Sequence, residues 1–344
     1  MNNEVIKVYD QNLNTIALIE DYKSFQCTEK FADVGSFTIK LAFDKKYDNS
    51  LIIMNFIKYK NFDGVITGIQ KTTAENGTTE MIVSGASLNF LLSMRVNVDL
   101  PYFNKSISAI VTALVTYNCI NSSEWDGKRV IPHLTIGGVT NINDTLTAYG
   151  VQYGTLLDNI KELANEYNFG FNITLDAENK ILIFNTFKTY KTVKIGSNTD
   201  NILTRDYTKS VATQKNVAFM DSLDNIKESH IINTLQSPNF DGLNRFETFV
   251  DGVIERQSDE TEAAYNARVN NSGAATIIKK VEAYDVTIDP NTTEELEVGY
   301  AVSIDDREYN LNITTTVTEK QITVENGTES FNYIFGNDVI TKRG

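Results

Sequence analysis

Cysteine, histidine, tryptophan and proline are scarce in this chain: two, two, one and four residues among 344. Cys27 and Cys119 stand 92 residues apart with no Cys-x-x-Cys spacing, so neither a zinc site nor a disulfide framework is indicated. They read as two reduced, buried thiols. Four prolines with 19 glycines exclude a collagen-like repeat and a proline-rich disordered chain. No stretch of 18 apolar residues is present, so no bilayer-spanning helix and no membrane insertion are expected. Met1-Asn2-Asn3-Glu4 has no basic region ahead of an apolar core, which predicts no secretory signal and synthesis in the cytoplasm. Positive charge is also short: 31 Lys and Arg against 45 Asp and Glu give a net charge of −14. Such a surface repels nucleic-acid phosphate and anionic lipid, against sequence-specific nucleic-acid binding.

Signatures of catalysis are missing as well. His133 and His230 belong to no His-Glu-x-x-His or other metal spacing, and there is no Gly-x-Ser-x-Gly elbow, Walker loop or Gly-x-Gly-x-x-Gly. Cys–His catalysis has no local support. The acidic pairs Asp305-Asp306, Glu294-Glu295 and Asp259-Glu260 read as two solvated turns and a helix N-terminus. The expectation is a non-enzyme with no catalytic, cofactor-binding or metal-binding residue. Trp125 lies in a polar loop, Asn121–Lys128, where it either anchors its own loop or stacks on a sugar or a partner.

What the chain does have is β pattern at both ends. Val5, Ile6 and Val8 begin one strand, and Phe25, Cys27 and Phe31 share a parity in another. Phe37, Ile39 and Leu41 alternate with Thr38 and Lys40, the period of a half-buried strand. Residues 62–71 and 79–84 flank Glu75-Asn76-Gly77, which predicts a tight hairpin with positive φ at both Asn76 and Gly77. Between residues 96 and 200 the period changes. Ile107, Ile110, Val111 and Leu114 predict a helix capped by Asn104 or Ser106. Leu156, Ile160, Leu163, Ala164 and Tyr167 predict another, opening at Gly154 or Thr155 and stopped by Gly170. A hairpin follows over 171–184. Strands resume from Val217, interrupted by a polar helix over 259–269 with Asp259 and Glu262 at capping-box spacing, and by a second helical segment over 272–281.

The fold class expected is β-rich α+β: two related antiparallel β-barrels flanking a small α+β part. The boundaries expected are 1–97, 98–200 and 201–344, with the helical excursion near 258–281 in the last part. No linker separates the three, so they are expected to pack together.

One internal echo supports the duplication. Ala74-Glu75-Asn76-Gly77-Thr78 returns 250 residues later as Val324-Glu325-Asn326-Gly327-Thr328. Each follows a Thr-rich strand and precedes an apolar one ending in glycine, at Gly85 and Gly336, the second copy being one residue longer. Asn-Gly hairpins are common enough for two to look alike by chance. The other reading is a repeated module. Three copies of a chain with two such modules would present six similar units in a closed ring.

Four segments stand in order along the chain: Phe31–Ile39, Gly64–Ile69 with Val83–Arg95, Tyr153–Ile173, and Leu296–Ile304 with Phe335-Gly336. Through them the sequence, from about residue 15 to 336, resembles the baseplate hub, or tail-associated, proteins of tailed phages and phage-like particles. Tyr300 departs from the family, which often carries Asp there. The resemblance implies a structural homotrimer closing the distal end of a tail tube and adapting six-fold tube to three-fold tip. It implies the distal tail or tube protein, the tape-measure protein and a spike or tail-fibre protein as partners, and a place at the virion tail tip after assembly in the host bacterial cytoplasm. The alternative is a carbohydrate-binding adhesin module using Trp125 and tyrosines.

Overall fold

The computed structural model describes residues 4–98, 102–121, 124–139, 142, 144–149, 154–196, 202–224, 229–236, 241–257, 260–278, 281–288, 295–325 and 327–342. Compactness divides the chain into two units, residues 1–205 with 286–344, and residues 206–285.

The first unit opens with β1 (Ile6–Tyr9), β2 (Thr15–Ile19), β3 (Tyr22–Lys30), β4 (Ser36–Ala42), the single turn α1 (Lys45–Asp48), β5 (Phe56–Tyr59), β6 (Phe62–Thr73), β7 (Thr79–Ser87) and the short α2 (Phe90–Ser93). Alternation works as expected in β4, whose Phe37, Ile39 and Leu41 are all buried. Next come β8 (Tyr102–Ser106), α3 (Ile107–Val115), β9 (Leu134–Val139), β10 (Thr145–Tyr149), α4 (Leu156–Tyr167), β11 (Gly170–Asp176) and β12 (Ile181–Phe187). Ser106 caps α3 by accepting from Ala109 N at 3.3 Å, and Thr155 caps α4 by accepting from Asp158 N at 3.1 Å. Helix α4 ends on Asn168 in the left-handed region (φ 49°), so Gly170 is free to begin β11.

The chain continues through β13 (Lys191–Gly196) and β14 (Ile202–Ser210). The second unit contains β15 (Val217–Asp224), β16 (Ser229–Gln236), β17 (Glu247–Glu255) and α5 (Glu262–Ala275). Its sheet order is β16-β15-β17, and Tyr265 and Val269 of α5 join Ala218, Met220 and Val250 in a core of their own. Thr261 caps this helix, its Oγ accepting from Ala264 N at 3.3 Å; Asp259 of the expected capping box lies outside the described residues. The helix runs unbroken to Ala275, so residues 272–275 extend it instead of starting a second one. The last elements are β18 (Val281–Ile288), which pairs with β14, then β19 (Tyr300–Asp306), β20 (Leu311–Glu325) and β21 (Thr328–Lys342).

The β-rich α+β class is what the chain adopts. The two terminal modules share one 11-stranded sheet in the order β13-β19-β20-β3-β4-β7-β6-β5-β1-β2, with β21 also on β20. Strand β3 is the joint, pairing antiparallel with β4 on one side and with Glu319–Glu325 of β20 on the other. Among the described residues no ladder closes this sheet into a ring. One face buries Phe25, Cys27, Ile39 and Val83 together with Ile322 and Val324 from the far end of the chain. A second core binds Leu88, Leu91 and Leu92 to α3, α4, β11 and β12, so the first strands and the α+β part pack as one body.

Candidate functional site

Two features of the first unit stand out: a module that occurs twice, and a polar cleft beside the joint between its copies.

The module is the meander β5-β6-β7, repeated as β19-β20-β21. It is entered through a turn. Leu51 and Leu296 are both buried at its start, 1% and 0% exposed. Asn55 N donates to Ile52 O in one copy and Tyr300 N to Glu297 O in the other, both at 3.0 Å. The third residue has positive φ in each, Met54 at 69° and Gly299 at 91°. Met54 N then reaches Ile66 O and Gly299 N reaches Val317 O, each at 2.9 Å.

The ladders agree residue by residue. Phe56↔Val65, Ile57↔Gly64, Lys58↔Asp63 and Tyr59↔Phe62 match Ala301↔Thr316, Val302↔Thr315, Ser303↔Thr314 and Ile304↔Ile313. Ile66↔Gly85 matches Val317↔Phe335, and both hairpins then skip one residue of their first strand, Thr67 and Thr318. A bulge conserved between the copies bends each strand at the same place.

Two details differ from the sequence echo. First, the structural equivalent of Gly85 is Phe335; Gly336 lies one residue further along, and the length difference falls in the turn. Second, Gly77 alone of the first Asn-Gly pair has positive φ (81°). Gly77 N donates to Ala74 O and Ala74 N to Thr78 O, both at 2.9 Å, a longer loop than the two-residue turn expected. In the second copy the ladder runs on to Glu325↔Thr328.

The cleft has a volume of about 500 Å³ and is lined by Glu29, Lys58, Asp63, Asn89, Tyr190 and Glu297 among others. Its polar groups hold the surrounding parts together. Buried Asp63 accepts from Lys58 Nζ at 2.8 Å and from Leu175 N at 2.9 Å. Burial pushes its carboxyl up, and Lys58 opposes this. Buried Asn89 donates to Asp33 O at 2.9 Å and Phe171 O at 3.2 Å, and accepts from Ile173 N at 2.8 Å. At the β3–β20 joint, Glu29 lies opposite Lys320. Lys320 is 2% exposed and donates to Glu295 at 2.8 Å and Glu297 at 3.0 Å. Burial alone would lower its ammonium pKa, but these carboxylates carry it above the usual lysine value. Burial raises Glu29 to about 7, with Lys320 pulling the other way.

The residues singled out in the sequence are scattered. Cys27 and Cys119 are both fully buried; burial pushes the first thiol well up and the second to about 12, so neither is a ready nucleophile. His133 is an exposed residue at φ 66° whose carbonyl accepts from Leu182 N at 2.9 Å. His230 pairs with Leu223 in β16, and its side chain lies outside the described residues. Trp125 falls in a single helical turn, Glu124–Gly127, and its side chain is likewise outside them. Asp306 is buried, not solvated: it accepts from Glu308 N and Tyr309 N, both at 3.0 Å, and closes the β19–β20 turn. Glu295 belongs to the Lys320 cluster, which no sequence motif marked. Glu260 holds Arg268 at 2.8 Å. Among the described residues no group of three or more His, Cys, Asp or Glu could hold a metal ion, and no helix is long and apolar enough to cross a membrane.

Known structures share this architecture. The tail protein of Neisseria meningitidis MC58 superposes with a TM-score of 0.60 at 12% identity, covering 97% of this chain and 96% of that one. The 43 kDa tail protein of prophage MuSo2 from Shewanella oneidensis gives 0.58 at 11% identity, covering 98% of each. The prophage tail protein gp18 from Listeria monocytogenes EGD-e gives 0.57 at 12% identity, covering 97% and 94%. No curated protein matches the chain. The family model described as Siphovirus ReqiPepy6 Gp37-like protein matches residues 5–337, nearly the whole length, and the chain belongs to that family.

Proposed function

We propose that the protein is a structural hub of a phage tail or phage-derived particle: a trimeric ring at the distal end of the tail tube that adapts a six-fold tube to a three-fold tip. The observation that carries this reading is the matched register of β5-β6-β7 and β19-β20-β21. A chain that displays one module twice offers a three-fold assembly six near-equivalent contact surfaces. The fold shared with tail proteins of three bacterial genomes supports the same placement. The three parts 1–97, 98–200 and 201–344 are its modules. Its partners are the distal tail or tube protein, the tape-measure protein and a spike or fibre protein, met after synthesis in the bacterial host cytoplasm. No catalytic step is assigned to it: the cleft's Asp63, Glu297 and Asn89 are committed to lysines and backbone groups. The net charge of −14 suits a surface past which DNA slides without binding.

Native mass spectrometry of the full chain over a wide concentration range tests the proposal. A trimer is expected. A chain that stays monomeric throughout and binds cell-wall glycan supports the adhesin reading instead.

A further inference from the structure

The two copies of the module differ in one respect: what lies along the outer edge of the central strand. In the second copy, β20 is paired on both sides over Glu319–Glu325, by β21 and by β3. In the first copy, the equivalent stretch of β6, Gly68–Thr73, pairs with β7 alone among the described residues. The hydrogen-bond parity shows which groups face outward. Ala74 N bonds Thr78 O, and Phe43 N bonds Thr79 O on the far side of β7. Alternation then turns Gln70 and Thr72 toward β7 and leaves the N–H and C=O of Ile69, Lys71 and Thr73 directed at the open edge. Their counterparts in β20 are Lys320, Ile322 and Val324, which lie opposite Glu29, Cys27 and Phe25 of β3. Proteins rarely leave a straight, proline-free edge uncovered.

In chain order a second strand pair, β14–β18, precedes the second meander as β3–β4 precedes the first, and among the described residues it forms a sheet of its own. Strand β18 begins at Val281, 245 residues after Ser36 of β4. That is the spacing that relates Met54 to Gly299. Its companion β14 then holds the chain position of β3, with residues 211–280 between the two strands where β3 and β4 have a short turn.

We propose that β14 of a second copy of this chain adds to the open edge of β6, running antiparallel along Gly68–Thr73. The contact repeats between chains the β3–β20 joint made within each chain. Being head-to-tail, it closes into a ring of three when each contact turns the next copy by a third of a revolution. This inference rests on the trimeric reading above and identifies the surface that builds the trimer.

The test uses the full-length chain. Lys71→Pro removes an N–H that points away from β7, a substitution edge strands tolerate. Lys71→Ala removes the same charge and keeps the N–H. The expected result is a trimer for wild type and Lys71→Ala, and for Lys71→Pro a folded chain whose trimer dissociates at about tenfold or higher concentration. Hydrogen exchange on the wild type needs no variant: the amides of Ile69, Lys71 and Thr73 slow by about tenfold or more from dilute monomer to trimer. Amine cross-linking of mixed labelled and unlabelled chains is expected to join Lys71 of one copy to Lys209 of another. A trimer in which those amides exchange as fast as in the monomer overturns the edge contact and leaves the hub reading standing. A protected edge cross-linked to a different strand overturns β14 as its occupant. A chain monomeric at every concentration overturns both readings together.

Discussion

Met54 and Gly299 occupy the same position in two copies of one turn, at φ 69° and 91°, each passing its N–H to the middle strand of its own meander. The glycine is required in one copy. A Cβ at position 299 would stand 3.0 Å from the Phe187 ring and 3.1 Å from the Tyr190 ring. Met54 is accommodated because its side chain packs on the core shared with α3 and α4. Gly299→Ala is therefore expected to cost about 1–3 kcal/mol, from backbone strain and ring displacement together. Met54→Gly is expected to cost less, since relief of the left-handed conformation offsets lost packing. Urea midpoints of the two variants check this.

That relationship marks the limit of what the sequence discloses. Period-2 alternation predicted β4, and helical spacing predicted α3 and α4, because each depends on neighbours a few residues away. The Asn-Gly turns disclosed the hairpins β6–β7 and β20–β21. The turn at Leu51–Asn55 went unseen since methionine stands where its counterpart has glycine. The β3–β20 pairing leaves no local trace either: Cys27 and Ile322 meet across 295 residues. The Lys320 cluster is hidden for the same reason. Lys320 and Glu29 interrupt the apolar parity of their strands, set by Ile322 and Val324 in one and by Phe25, Cys27 and Phe31 in the other, and only the pairing of distant strands brings the two charges opposite one another.

Lys320→Met tests how strongly that cluster holds the joint. The substitution keeps the apolar stem and removes the ammonium shared by Glu295 and Glu297. Glu29 then lies beside two further carboxylates with no cation between them. A loss of about 2–4 kcal/mol is expected in denaturant unfolding, because breaking a buried pair costs more than replacing it. Lys320→Met with Glu29→Gln is expected to recover part of the loss.

Glu29 gives the stability a pH dependence of definite sign. Its carboxyl titrates near 7 in the folded chain against an ordinary 4.5. Between those values the folded state holds the extra proton, so the contribution is present below about pH 4.5 and is lost as pH rises through about 7. The wild-type urea midpoint is expected to carry a falling component across that window, and Glu29→Gln to remove it. An unchanged slope in the variant would show that Glu29 does not titrate there.

Asn89 ties the first strands to the hairpin β11–β12 through three bonds to backbone groups. Asn89→Ala leaves buried partners without their donor or acceptor and is expected to cost about 2–4 kcal/mol. Asn89→Asp keeps the acceptor for Ile173 N and loses the donors, and is expected to be as damaging. Thermal unfolding of both variants supplies the comparison.

Electron-microscope images of the assembled ring, viewed down its axis, address the duplicated module most directly. Three copies of a chain carrying β5-β6-β7 and β19-β20-β21 should give a three-fold ring with a strong sixth-order rotational component at the radius of the sheets. A three-fold ring without that component, or particles of any other symmetry, would contradict the reading of these two meanders as equivalent units of one collar.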